Sequence, residues 1–289
     1  MEVFFNFVLR GLAISAPIAF ASLGGVFSER SGVVNIALEG IMLTATFAVV
    51  WGALAFESFF MGLVFALAAG IVMATLHAVV TVTYKVNQIV SGVAINILAL
   101  GFTRFFSQTI FGQETQTPFN PFVPARILGI SSMAWLLIPA VAIVWFVLFK
   151  TKFGLRLRSV GENPEAADTL GINVTRMRYA GVILSGVMCG LAATTLYPAQ
   201  WITNMTGGRG YIALAAMIFG RWHPVGAVAA SLLFGYTETF RIMFETQIPI
   251  PAQFVQMLPY VLAVVVLAGV VGRAVGPAAS GVPYRKGGE

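Results

Sequence analysis

Apolar residues along this chain neither alternate nor keep to one helical face. They fill whole runs, at about 4–27, 41–56, 59–83, 88–110, 133–149, 179–198, 225–244 and 253–272. A helix needs about 20 apolar residues to cross the hydrocarbon core of a bilayer, so these runs predict membrane-spanning helices. A shorter apolar piece, Tyr211 to Phe219, follows the sixth run, led by TGGRG and trailed by GRWHP. Too short to span alone, it predicts a broken or re-entrant helix. Such backbone survives at membrane depth only inside protein or beside a water-filled cavity. SGVVNIALEG (Ser31 to Gly40), ahead of the second run, reads the same way. The expected fold is all-α, a polytopic transmembrane helical bundle of about 8–9 spans with one or two broken or re-entrant helices. No internal repeat and no long extramembrane stretch divides it, so residues 1–289 read as one domain.

Composition agrees. Of 289 residues, 58% are hydrophobic and 10% charged, with a mean hydropathy of +0.88. Soluble domains carry roughly 25% charged residues. The N-terminal run lacks a basic n-region and a clear cleavage site, and reads as a retained first span.

The net charge of +6 reports on topology rather than on nucleic acid, because in a membrane protein the placement of basic residues matters more than their sum. Lys150, Lys152, Arg156, Arg158, Arg176 and Arg178 cluster in the loop 150–178, six of the seventeen basic residues. The positive-inside rule places that loop in the cytoplasm. Alternation then puts Lys85 and FSERSG inside, and the Pro- and Gln-rich loop 111–132 and the N-terminus outside. The basic tail 273–289 is inside. An outside start and an inside end require an odd number of crossings, which Tyr211 to Phe219 can complete.

Catalytic signatures are missing. There is no phosphate loop and no H-E-x-x-H, and Ser185 lacks the first glycine of a nucleophile elbow. His77 and His223 stand far apart, so no cofactor or metal is expected. The single cysteine, Cys189, reads as a small core residue. GVMCG (Gly186 to Gly190) and the series Gly11, Ser15, Ala19 read as close helix packing within the chain, with an oligomer contact as the alternative.

Polar groups inside apolar runs point further, because each is costly unless paired or wetted. These are Asn35, Glu39, His77, Asn87, Gln88, Asn96, Arg104, Glu238 and Arg241. His77 reads as packed and hydrogen-bonded, Arg104 as snorkelling at the outer end, and Glu238–Arg241 as a local i,i+3 ion pair. Asn35, Glu39, Asn87, Gln88 and Asn96 are candidates for lining a passage. Asn35 and Glu39, four apart, would share one helix face. They read either as a structural polar clasp or as a wall of a path.

Three of the eleven acids fall in VGENPEAADTLGINV (Val160 to Val174), between basic flanks. Asn163 can cap a helix that Pro164 begins, with Glu165 at its positive end and Gly171 closing it. The expected product is a two-turn helix over 164–170, with Ala166 and Leu170 on one face. Its acids suit a cytoplasmic protein partner better than anionic lipid.

GENPEAADTLGINV resembles the cytoplasmic coupling segment of ABC-transporter permeases, in the branch serving ribose-type sugars, nucleosides and branched-chain amino acids. FSERSGVVNIALEGIML (Phe27 to Leu43), TGGRGYIALAAMIFGRWHPVGA (Thr206 to Ala227) and QMLPYVL (Gln256 to Leu262) are similar to the nucleoside and simple-sugar subgroup. The likeness runs from about residue 10 to the C-terminus. One departure is Ala37, where the subgroup often has glycine, so a tight bend is less expected there. The resemblance implies a non-enzymatic pathway subunit of an importer of nucleosides or simple sugars, in a bacterial inner membrane. It implies separate ABC ATPase subunits, a second permease (a related chain or a second copy) and an extracytoplasmic substrate-binding protein. It assigns coupling to Glu162, Asn163, Pro164, Glu165, Ala166, Ala167, Asp168, Leu170 and Gly171. Two other classes compete on the residues alone. A proton- or ion-coupled carrier would use Glu39 as its coupling acid. A lipid-modifying membrane enzyme would need convergent acid, base or metal ligands, which the runs barely supply.

Overall fold

The computed structural model describes residues 1–196, 199–245 and 275–286, together with Phe254, Met257, Val261 and Val265. Each apolar run before residue 245 becomes a helix: α1 (Glu2–Arg30), α2 (Leu38–Ala55), α3 (Phe59–Ala78, continued as a π-helical turn Val79–Thr83) and α4 (Gln88–Phe111). A small hairpin, β1 (Arg126–Ile127) with β2 (Ile130–Ser131), precedes α5 (Ser132–Trp135) and α6 (Leu137–Lys150). Then come α7 (Lys152–Glu162), α8 (Pro164–Thr169), α9 (Val174–Leu196), α10 (Arg209–Phe219) and α11 (Pro224–Phe244).

Among the described residues, six helical stretches are long and apolar enough to cross a membrane: α1, α2, α3 with its π turn, α4, α5–α6 and α9. α11 has the length, but Glu238 and Arg241 lower its apolarity; Arg241 pairs with Glu238 and also with Glu245 at 3.6 Å. The run 253–272 and the segment QMLPYVL lie outside the described residues, apart from the isolated positions named above.

α2 is the central element, buried on almost every side against α3, α4, α9 and α10. α1 packs along α9 and α11. Small residues make these approaches possible, as expected for GVMCG: a Cβ on Gly190 would come within 2.9 Å of the Ala66 carbonyl, so α3 and α9 meet backbone to backbone. Cys189 lies fully buried in the core.

The two ends of the bundle are tied differently. At one end the loop after α4 is stitched to the segment after α9, Thr117 N–H donating to the Trp201 carbonyl at 3.0 Å and Thr203 N–H to that of Thr115 at 2.8 Å. The N-terminus lies at this same end, where Phe7 packs on Tyr236 and Phe244. The opposite end carries the basic loop. There Arg30 Nε donates to the Trp222 carbonyl at 3.0 Å, and its guanidinium faces Glu162 at 3.8 Å.

Within the basic segment Lys150–Arg158, Thr151 Oγ1 accepts the Gly154 N–H and starts α7, whose Leu157 and Val160 are buried. One local expectation is corrected: Asn35 and Glu39 do not share a helix face, because Asn35 lies in the non-helical stretch before α2.

Candidate functional site

Between α1 and α2 the chain breaks from Ser31 to Ala37. A break inside an apolar bundle strands backbone groups that water cannot reach, at about 1–3 kcal/mol for each buried group left unpaired. Side chains of α3 and α4 supply the partners. Gln88 Oε1 accepts the Val34 N–H at 2.6 Å. His77 Nε2 sits 3.1 Å from the Val34 carbonyl and its Nδ1 3.0 Å from Ser91 Oγ. Asn96 serves both sides of the break: Nδ2 donates to the Ile36 carbonyl at 3.0 Å, and Oδ1 accepts the Gly40 N–H at 2.8 Å. Asn35 Nδ2 donates to Ser185 Oγ on α9 at 2.6 Å. Ala37 turns the chain at φ −69°, an ordinary helical value, so the bend needs no glycine there.

Glu39, in the first turn of α2, accepts from the Gly208 N–H at 2.8 Å and the Gly210 N–H at 2.6 Å. It thereby caps the N-terminus of α10, the predicted re-entrant element, while standing at the positive end of α2. Gly210 is required: a Cβ there would lie 2.5 Å from the Glu39 Cα.

Of the five residues expected to line a passage, Asn35, Glu39, Gln88 and Asn96 are thus buried around the break. Asn87 is apart. It is exposed, and its Oδ1 caps α4 by accepting from Ile89 and Val90 N–H. Arg104 is exposed toward the far end of α4. Tyr211 is not among the polar residues that the apolar pattern singles out. Its hydroxyl accepts from Asn96 Nδ2 at 2.9 Å, while the residue as a whole is 48% exposed. Its signal was a polar aromatic one residue after the glycine motif.

At the basic end, α8 forms as its caps predict, one residue short of the expected end. Asn163 Oδ1 accepts the Ala166 N–H at 2.9 Å, Pro164 occupies the first turn, and Gly171 takes φ +77°. Ala167 is the anchor, buried with Val160 and Val174. Glu162, Asn163, Glu165, Ala166, Leu170 and Gly171 are exposed, Leu170 to 80%. A cleft of ≈ 290 Å³ beside them has Arg156 and Arg176 on its walls.

Residues 275–286 lie across this module, a contact with no local signature in the sequence. Ala279 N–H donates to the Gly161 carbonyl at 2.9 Å, and Arg178 Nη1 to the Val282 carbonyl at 2.8 Å. Tyr284 packs on the Val160–Ala167–Val174 cluster and hydrogen-bonds Asp168. Burial and the nearby carboxylates of Asp168 and Glu165 hold its phenol above the usual tyrosine range, so it serves as a donor. Lys286 faces Asp168 at 4.0 Å. Arg178 is closed over, 1% exposed.

Among the described residues no group of three or more His, Cys, Asp or Glu could hold a metal. The site offers a polar junction within the bundle and a capped, exposed helix at the basic end.

Residues 7–280 match the family described as branched-chain amino acid transport system / permease component. The chain is 44% identical to the guanosine ABC transporter permease protein NupQ of Bacillus subtilis (strain 168), over 96% of this chain and 95% of that one. It is 42% identical to the nucleoside ABC transporter permease protein NupC of Lactococcus lactis subsp. cremoris (strain MG1363), over 96% of each. Among solved structures, PsaBC from Streptococcus pneumoniae in complex with Fab matches 92% of this chain and 95% of that chain. The TM-score is 0.51 at 14% identity, a likeness of fold.

Proposed function

Because the chain belongs to the permease-component family of branched-chain amino acid transport systems, and is a multi-pass membrane protein, we propose that it forms the translocation pathway of an ABC importer for nucleosides. The observation that carries the coupling role is α8, a capped helix at the basic end whose exposed face combines Glu165, Ala166 and Leu170. The cargo assignment rests on the two nucleoside permease relatives of equal extent. Simple sugars are the next cargo class.

In this reading the basic end is cytoplasmic, carrying loop 150–178 and tail 273–289, and the N-terminus is outside a bacterial plasma membrane. ATP is hydrolysed by separate ATPase subunits that dock on α8. A second permease completes the pathway, and a substrate-binding protein delivers cargo to the outer loops. Closure of the ATPase dimer pushes α8, and Ala167 transmits the push to α7 and α9 through Val160 and Val174. Ser185 on α9 then reaches Asn35 at the break before α2. Two discrete packings of these helices, bound differently by the ATPase, would give the outward- and inward-open states.

The test is uptake by the reconstituted complex across a panel of nucleosides, pentoses and hexoses. Vanadate-sensitive guanosine uptake that needs the ATPase is expected. Uptake driven by a proton gradient without the ATPase would overturn the reading.

A further inference from the structure

Ala199 to Gly208 link α9 to α10 without an α-helix or a strand of any length. The upper part of this ribbon is tied to the loop after α4, Trp201 N–H donating to Thr117 Oγ1 at 3.1 Å. Its lower end meets Glu39, and Tyr211, just beyond, meets Asn96. Asn96 lies eight residues beyond Gln88, about 12 Å up α4 at 1.5 Å per residue, inside a hydrocarbon core about 30 Å thick. The ribbon therefore descends from the outer end into the membrane.

Along it Ile202, Asn204, Gly207 and Tyr211 are exposed, and Asn204 holds φ +57° and Gly207 φ +55°. Lipid does not tolerate irregular backbone and an exposed amide at that depth, whereas a water-filled cavity does. Two fully buried side chains of the ribbon, Trp201 and Thr206, also leave Nε1 and Oγ1 without hydrogen-bond partners among the described residues.

We propose that Asn204, Gly207 and Tyr211 form one wall of the solvated path from the outer surface down to the Glu39–Asn96 junction, and that the Tyr211 ring is the surface on which a nucleobase stacks. This rests on the nucleoside-importer reading. The ring suits the role because Asn96 already fixes its hydroxyl, so little freedom is lost when a base stacks on its open face. Peptide groups and the Asn204 amide along the ribbon match the hydroxyls of a ribose.

The test uses the full transporter in proteoliposomes, in a Cys189→Ala background. Single cysteines are introduced as Asn204→Cys and Tyr211→Cys, with Ile143→Cys, exposed on the apolar α6, as the lipid-facing control. A charged, water-soluble methanethiosulfonate should modify the first two and spare the third, and vanadate trapping should change both rates. If Asn204→Cys and Tyr211→Cys resist that reagent, whether facing lipid or covered by the second permease, the wall is refuted. For the stacking surface, Tyr211→Ala should lower guanosine uptake about tenfold and Tyr211→Phe less than about twofold, with binding-protein-stimulated ATPase activity retained in both. Equal uptake by the two variants would overturn stacking. Labelling depends on geometry alone, whereas absence of nucleoside uptake by the unmodified complex would strike the cargo reading itself.

Discussion

Glu39 Oε2 and the Gly210 amide nitrogen lie 2.6 Å apart, joining the first turn of α2 to the first turn of α10. Two helices begin inside the bundle and a single carboxylate answers both. It accepts from the start of α10 and lies at the positive end of α2's dipole.

Replacing that carboxylate should be costly. Glu39→Ala strands the Gly208 and Gly210 N–H groups, each at about 1–3 kcal/mol. Glu39→Gln keeps one acceptor oxygen and should fall between Ala and the unmodified protein. The readout is the apparent Tm of the purified complex, and an unchanged Tm in Glu39→Ala would refute the capping role.

Gly210→Ala should destabilise by about 1–3 kcal/mol, since its Cβ would press on the Glu39 backbone. Gly101 on α4 is the contrast: a Cβ there meets nothing within 4 Å. Gly101→Ala should be neutral or stabilise by up to about 1 kcal/mol, by reducing the freedom of the unfolded chain. Thermal unfolding of the two variants separates packing from helix propensity.

The double variant Asp168→Arg with Gly171→Trp should abolish uptake and the ATPase stimulation that accompanies it, while the membrane level of the chain persists. Gly171 has open space around it but φ +77°, so a side chain there brings about 1–2 kcal/mol of backbone strain rather than a clash. Normal uptake with normal stimulation would remove α8 from the coupling route.

Deleting residues 275–289 should uncover Arg178 and free the far side of α8. Loss of the Val282 and Ala279 hydrogen bonds, about 1 kcal/mol each, predicts faster amide exchange over residues 160–178. It also predicts less cargo moved per ATP, with the spans still inserted. Exchange indistinguishable from the full chain would show that this C-terminal strap, residues 275–286, adds nothing to α8.

What could be read from the sequence was what local chemistry decides. Asn163, Pro164 and Gly171 specify α8 almost to its last residue, because caps act within one turn. The apolar runs specify the helices through α11 for a similar reason, since length alone meets the membrane's demand. The Glu39 clasp was half legible. Its burial cost marks it, but the four-residue spacing of Asn35 and Glu39 implies helix neighbours, because nothing in the sequence says that α2 starts at Leu38. The strap was not legible. Tyr284 and Asp168 are 116 residues apart, and pairing at that separation is decided by how the spans stack.

The strap also sets an order of events. The helix proposed to meet the ATPase precedes residues 275–286 by more than a hundred positions, yet those residues supply the carbonyl that Arg178 donates to and the groups that face Asp168. A chain still being synthesised, or one cut short, carries α8 on an unfinished platform. Assembly with the proposed ATPase would then be timed by the arrival of the C-terminal segment, so that a transporter becomes able to consume ATP only once residues 275–286 have settled against α8.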